Sequence, residues 1–194
     1  MTKRLQHLDE IEQSIWSEFE RCVAPRRQRA EADDERDVGP PHEWRVAMLA
    51  TDDEEQEQAP SIVLREVDSS EHRFVFYTDA RSPKVREIEA APRGTLMFRS
   101  RELGWQLRVK VKLAVETTGL AVSSRWARLK TRAGARDYLA APDSSLDAPL
   151  AELEERTHFA MIEAQAESVD WIELDDEGDR RARFADDGAR WVQP

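Results

Sequence analysis

WQLRVKVKLAVE, residues 105–116, puts Trp105, Leu107, Val109, Val111, Leu113 and Val115 on one side of an extended chain and Gln106, Arg108, Lys110, Lys112, Ala114 and Glu116 on the other. Strict period-two alternation describes a strand with one face in a core and a cationic face turned outward. The segments around it read the same way. WRVAMLAT from Trp44, SIVLREV from Ser61, RFVFYT from Arg73 and GTLMFRS from Gly94 are β-rich runs separated by polar turns. The chain returns to β in HFAMIEAQAESVDWIEL from His158, RRARF from Arg180 and ARWVQP from Ala189. Helices are expected where the spacing changes to three and four. One covers residues 5–23, with Leu5, Leu8, Ile11, Ile15, Trp16, Phe19, Cys22 and Val23 on one stripe. A short one covers 83–91, capped by Ser82, opened by Pro83 and stopped by Pro92. Two more are expected over 120–140 and in LDAPLAELEER from Leu146. Strands in this number with helices inserted predict an α+β fold, a mainly antiparallel barrel of six to seven strands with flanking helices.

One domain accounts for all 194 residues. It divides into the N-terminal helix, a charged linker at about 25–43 (PRRQRAEADDERDVGPP and its continuation), and a barrel at about 44–194. The net charge of -11 excludes general binding to nucleic acid or anionic membrane, since both would be repelled. The charge is unevenly spread. From Arg81 to Arg136 there are fourteen Lys/Arg against four Asp/Glu, leaving fifteen basic and thirty-six acidic residues elsewhere. A locally cationic region in an acidic chain suits a small anion better than a long polyanion. A nucleic-acid-binding barrel using Arg108, Lys110 and Lys112 lacks the interleaved aromatics that base stacking needs. The single Cys22 and the absence of an apolar N-terminal run point to a reduced, cytoplasmic setting without a membrane anchor.

Several common sites are missing. The seven glycines form neither G-x-G-x-x-G nor a Walker A loop, and the four histidines are too scattered for a metal. Cys22 lies on an apolar stripe, as a small buried hydrophobe does. FYTDARSPK, residues 76–84, carries more information. Its Ser82-Pro83 helix start offers the positive end of a helix dipole, and Arg81 and Lys84 put two cations beside it. A phosphate fits there. Gln106 and Arg108 on the outward strand face add donors and an acceptor suited to an amide-rich heterocycle.

The succession SIVLRE, FYTDARSPK, the AAP closing the short helix, LMF and WQLRVKV resembles the pyridoxamine 5'-phosphate oxidase-like superfamily, the FMN-binding split barrels. The N-terminal helix with Trp16, the segments at Trp126 and Arg136, and the closing DWIEL, GDRRARF and W-V-Q-P are similar to a bacterial branch of it. The resemblance spans about residues 12–194 apart from the linker, and implies a split barrel that dimerises with FMN in a groove between subunits. It places Arg65, Ser82 and Lys84 at the flavin phosphate, Tyr77 and Thr78 beside them, and Gln106 at the ring. Arg183 would reach the cofactor from the C-terminal segment, with Trp171 packed on it, and Arg181 would hold an anionic substrate group. The chain also departs from the family's pattern. Pro60 stands where an arginine is usual and Pro83 where a basic residue is common, while Asp179, Arg180 and Arg181 replace an Arg-x-His, and a Gln-Ser pair has no counterpart. Two functions are compatible with this: an FMN-dependent oxidoreductase acting on a small organic substrate, or a non-catalytic flavin-binding or eroded dimeric scaffold. A deazaflavin in place of FMN stays open at this level, whereas the departures from the family's pattern count against the vitamin B6 reaction.

Overall fold

A computed structural model describes residues 4–24, 41–53, 56–130, 138 and 158–194. Most of the linker and the helix expected from Leu146 lie outside the described residues. So does all of the 120–140 helix beyond its first turns except Tyr138. His42 caps a 3-10 turn at Glu43–Arg45 that precedes the first strand, so the turn begins at the limit near 43 expected for the linker. Trp44 therefore lies in that turn, fully buried, and does not open the strand.

Nine strands are described: β1 (Val46–Asp53), β2 (Gln56–Gln58), β3 (Ser61–Asp68), β4 (Arg73–Asp79), β5 (Arg93–Ser100), β6 (Trp105–Glu116), β7 (Phe159–Glu173), β8 (Arg180–Ala185) and β9 (Arg190–Val192). Six of them, in the order β4-β3-β1-β5-β6-β7, close into an antiparallel barrel through the β4–β7 pairing. The fold is thus α+β and a closed six-stranded barrel. β2 is a hairpin on β1, in a stretch read as a polar separator, and β8 and β9 extend the sheet beyond β7. The long β7 makes closure possible. Its first half, Phe159–Gln165, pairs with β4, its second half, Ser168–Glu173, pairs with β8, and β6 runs along both.

Alternation on β6 is as the sequence requires: Trp105, Leu107, Val109, Val111 and Leu113 are buried, and Lys110, Lys112 and Ala114 are exposed. Helix α1 (Leu8–Val23) lays Ile11, Ile15, Trp16, Phe19 and Cys22 onto the barrel. Helix α2 (Pro83–Ala90) buries Val85 and Ile88 against β1 and β6. Helix α3 (Gly119–Leu129) covers the outside of β4 and β7, where Val122, Trp126 and Leu129 meet Val75, Phe159 and Met161 in a second core.

Gly94 on β5 marks a close approach of strands. A Cβ there would lie 2.8 Å from the Ala50 carbonyl oxygen and 3.0 Å from Leu113 Cδ1. Alanine restricts the unfolded chain by less than this contact costs, because the obstacle is backbone and cannot rotate away. Gly94→Ala is expected to lower stability by about 1–3 kcal/mol. Urea unfolding of the two proteins measures it, and an unchanged midpoint would reject the close approach.

Candidate functional site

β4 ends at Asp79 and the chain turns directly into α2. Ser82 is the N-cap in extended conformation and Pro83 takes the first helical position. The Asp79 carboxylate accepts from the Arg81 backbone N–H at 2.8 Å and from its guanidinium Nη2 at 2.7 Å. Arg81 is therefore held by Asp79, which corrects the expectation that two cations stand ready at the helix start. Lys84 does stand there. Its Nζ donates to Ser82 Oγ at 2.5 Å, and among the described residues no ion pair within salt-bridge distance includes it. Burial pushes the Lys84 ammonium below its usual range, although Glu87 and Asp79 act in the opposite sense. Glu87, three residues on, is buried and accepts from Thr51 Oγ1 at 2.5 Å. Thr51 lines a cavity of about 630 Å³ together with Ala59, Arg93, Thr95, Lys110 and Glu167. A ladder irregularity between Lys110 and Val111 places Glu167 opposite no β6 partner. Pro60 follows Ala59 directly, and its carbonyl accepts from Leu49 N–H at 3.0 Å.

From this cavity the outer face of the sheet runs across β1, β5, β6, β7 and β8. Met48 pairs with Met97, Met97 with Arg108, Arg108 with Asp170, and Asp170 with Arg183. The next row holds Arg99, Gln106, Ile172 and Arg181. Val46, Met48 and Met97 are exposed apolar side chains on this face. Gln106, Arg181 and Arg183 thus share one face. Asp170 accepts from Arg108 Nη2 at 2.7 Å and from Arg181 Nη2 at 2.6 Å, so Arg181 is bound internally. The two guanidiniums hold the Asp170 carboxyl below its usual range, although burial alone would raise it.

Arg65 and Tyr77 form a different cluster. A ladder irregularity between Leu64 and Glu66 leaves Arg65 opposite no β4 partner. The Arg65 guanidinium carbon lies 5.5 Å from the Tyr77 ring centroid, while its buried Nε–H has no acceptor among the described residues. Tyr77 Oη donates to Glu66 at 2.9 Å, and Glu66 also accepts from Arg125 of α3 at 2.9 and 2.6 Å. The Tyr77 hydroxyl is thus engaged within the chain. Among the described residues no hydrogen bond or ion pair links Arg65 and Tyr77 to Ser82 and Lys84. Thr78 is buried on β4. Trp171 is fully buried against Trp105 and Trp191, with Arg180 5.7 Å from its ring centroid, so its ring is core and is absent from the outer face. This corrects its placement beside a cofactor. Its register explains the result, since Trp171 shares a face with Leu107 and Ala182. Sequence reasoning did not single out Thr51, Glu66, Glu87, Arg125 or Asp170. Only Asp170 left a signal, as the outward residue beside Trp171.

Burial, then the Glu66 hydrogen bond and charge, push the Tyr77 phenol up from 10.0 to about 12. A raised folded value means that its contribution to stability is complete below pH 10.0 and is lost as pH rises through about 12. Tyr138 is the only other tyrosine. Phenolate absorbance in a Tyr138→Phe background should therefore rise near 12, and a transition near the ordinary value in the folded protein would reject the Glu66 lock.

Among the described residues no group of three His, Cys, Asp or Glu side chains is placed to hold a metal. Among the described residues no helix is long and apolar enough to cross a membrane. The fold has solved relatives. A pyridoxamine 5'-phosphate oxidase-related, FMN-binding protein from Nostoc punctiforme superposes with a TM-score of 0.63 at 19% identity, over 77% of this chain and 87% of that one. PhzG from Burkholderia lata, solved with tetrahydrophenazine-1-carboxylic acid, gives 0.62 at 18% identity, over 78% and 83%. At these identities the likeness concerns fold alone. In sequence, a pyridoxine/pyridoxamine 5'-phosphate oxidase of Granulibacter bethesdensis is 43% identical over 54 residues, 26% of this chain and 25% of that protein. The matched stretch thus spans a quarter of that relative's length. The family described as pyridoxamine 5'-phosphate oxidase matches residues 41–172, from the 3-10 turn to the end of β7 and across more than half of the chain. By that match, and with a barrel of the corresponding fold, this chain belongs to the pyridoxamine 5'-phosphate oxidase family.

Proposed function

We propose that this chain is an FMN-binding oxidoreductase of a small organic substrate, acting as a cytoplasmic homodimer. The single observation that carries the reading is Lys84: a half-buried ammonium at a helix start, bonded to a serine hydroxyl and, among the described residues, without a carboxylate at salt-bridge distance. A phosphate would supply the missing countercharge. The residues present fit that group. Ser82 and Lys84 would hold the phosphate, with the Thr51–Glu87 contact fixing the wall behind it. Gln106 on the outer face would orient the ring, and the exposed Met48–Met97 pair would give it an apolar bed. Arg183 would complete the face from β8. Arg65, whose Nε–H has no acceptor among the described residues, is a further donor for an anionic group. When bound, the flavin supplies hydride or electron transfer, and the protein contributes binding, orientation and local charge. The exposed Val46, Met48 and Met97 suit burial by a second copy, which would cover the ring. The buried thiol of Cys22 accords with a reduced compartment.

A second reading is favoured by three observations. Pro60 and Pro83 remove two cationic positions, and Arg181 is tied to Asp170. On that reading the protein holds flavin without turnover, or is an eroded scaffold.

An absorbance titration of the purified protein with FMN tests the proposal. A bound flavin band at micromolar FMN, bleached by a reducing substrate, supports the oxidoreductase. A band that no substrate bleaches favours the non-catalytic module, and no retained flavin removes the cofactor reading altogether. Sedimentation of the same sample checks the dimer.

A further inference from the structure

Asp170 occupies the centre of the outer face and is shared. Its Oδ2 accepts from Arg108 Nη2 at 2.7 Å and Arg181 Nη2 at 2.6 Å, and its Oδ1 from Arg181 Nε at 2.8 Å. Three charge-assisted hydrogen bonds thus converge on one carboxylate. The side chains of Arg108 and Arg181 are 40% and 29% exposed, so both reach the surface that a ligand would approach. We propose that Asp170 is a specificity-determining residue: by occupying Arg108 and Arg181 it makes this face select an uncharged aromatic ring over a phosphomonoester.

Arg108 gives one N–H and Arg181 two to Asp170, so a phosphate that approaches either guanidinium must share it with a carboxylate that already offsets one of their two positive charges. The carboxylate, 20% exposed, would then face an incoming group of like charge. An uncharged ring meets neither obstacle. It finds the exposed Met97 beside Arg108 and the Gln106 amide in the next row. This inference rests on the proposal that the outer face is where substrate meets the flavin, and it names the substrate class.

The test uses 4-methylumbelliferone, kept protonated and uncharged in mildly acidic buffer, and its phosphate ester, which carries the same ring with an anionic group, with binding read by isothermal titration calorimetry. A background that carries both Lys84→Ala and Arg65→Ala removes the other two proposed anion donors, so that phosphate affinity reports on this face. With Asp170 present, the phosphate should bind no more tightly than the uncharged ring. Asp170→Asn should raise affinity for the phosphate by about tenfold or more and leave the uncharged ring nearly unchanged. Asp170→Ser provides a second removal of the charge should the asparagine variant fail to fold, and Asp170→Glu should restore the original preference. Three outcomes would overturn the inference: a tight preference for the phosphate with Asp170 in place, a ratio indifferent to the charge at 170, or no binding of either probe. FMN titration of the unsubstituted chain is a separate arm. Loss of flavin binding with the ratio shift intact removes the cofactor reading and leaves Asp170 as a selector, whereas flavin binding without the ratio shift does the reverse.

Discussion

Replacing Lys84 with alanine is expected to weaken FMN binding by about ten- to a hundred-fold, which corresponds to roughly 1.5–3 kcal/mol for one charge-assisted hydrogen bond. The size follows from the local environment. Lys84 is already partly stripped of water, so part of the cost of presenting a charge is met in the folded protein before any ligand arrives. It has one hydroxyl partner, Ser82, to orient the ammonium. The buried Thr51–Glu87 contact sits behind it and fixes the wall of α2. The effect should be larger than that of removing one of the exposed lysines of β6, because Lys110 and Lys112 stand in solvent, where water and salt screen them. Flavin fluorescence quenching on titration with each variant gives the dissociation constants. Equal affinity of the wild type and the Lys84→Ala variant would place the phosphate elsewhere, with Arg65 as the next cation to test.

Phe19→Ala is expected to cost about 3–5 kcal/mol of stability. Phe19 is fully buried, and its ring centroid lies 4.8 Å from Trp44, 4.8 Å from Phe74 and 4.9 Å from Phe98. Those partners come from the 3-10 turn, β4 and β5, so one side chain joins α1 to three separate parts of the barrel. Truncation leaves a cavity bounded by stiff aromatic rings that cannot collapse into it. Ile11, Ile15, Trp16 and Cys22 share the same buried face, and at its edges Trp16 stacks on His72 at 4.4 Å and Glu18 meets His42 Nε2 at 3.0 Å. Urea denaturation measures the loss. A change below about 1 kcal/mol would mean that α1 docks through those residues instead.

The helices and strands that carry a clear period were legible. β6 is a twelve-residue strand on its predicted bounds, and α2 begins at Pro83 after Ser82. The stripe on α1 is buried where the three-and-four spacing puts it. The candidate site was legible in part: period two assigns Gln106 and Arg108 to a face without contact information, while Arg181 was pointed to by the family resemblance. Trp171 shows the limit. As an aromatic near a strand end it was open to either face, and its registers with Leu107 and Ala182 put it inside.

What the sequence determined alone was therefore the local alternation of β6, the apolar stripe of α1, the helix start at Ser82, the cationic region within an acidic chain and, through the ordered motifs, the family. What only the tertiary structure decided was pairing across distance. β4 meets β7 to close the barrel, Arg125 reaches Glu66 across 59 positions, Arg108 reaches Asp170 across 62, and Thr51 reaches Glu87 across 36. Side-chain periodicity is a property of neighbours in the chain, whereas strand register and ion-pair choice are settled by closure of the whole sheet, so no local pattern contains them.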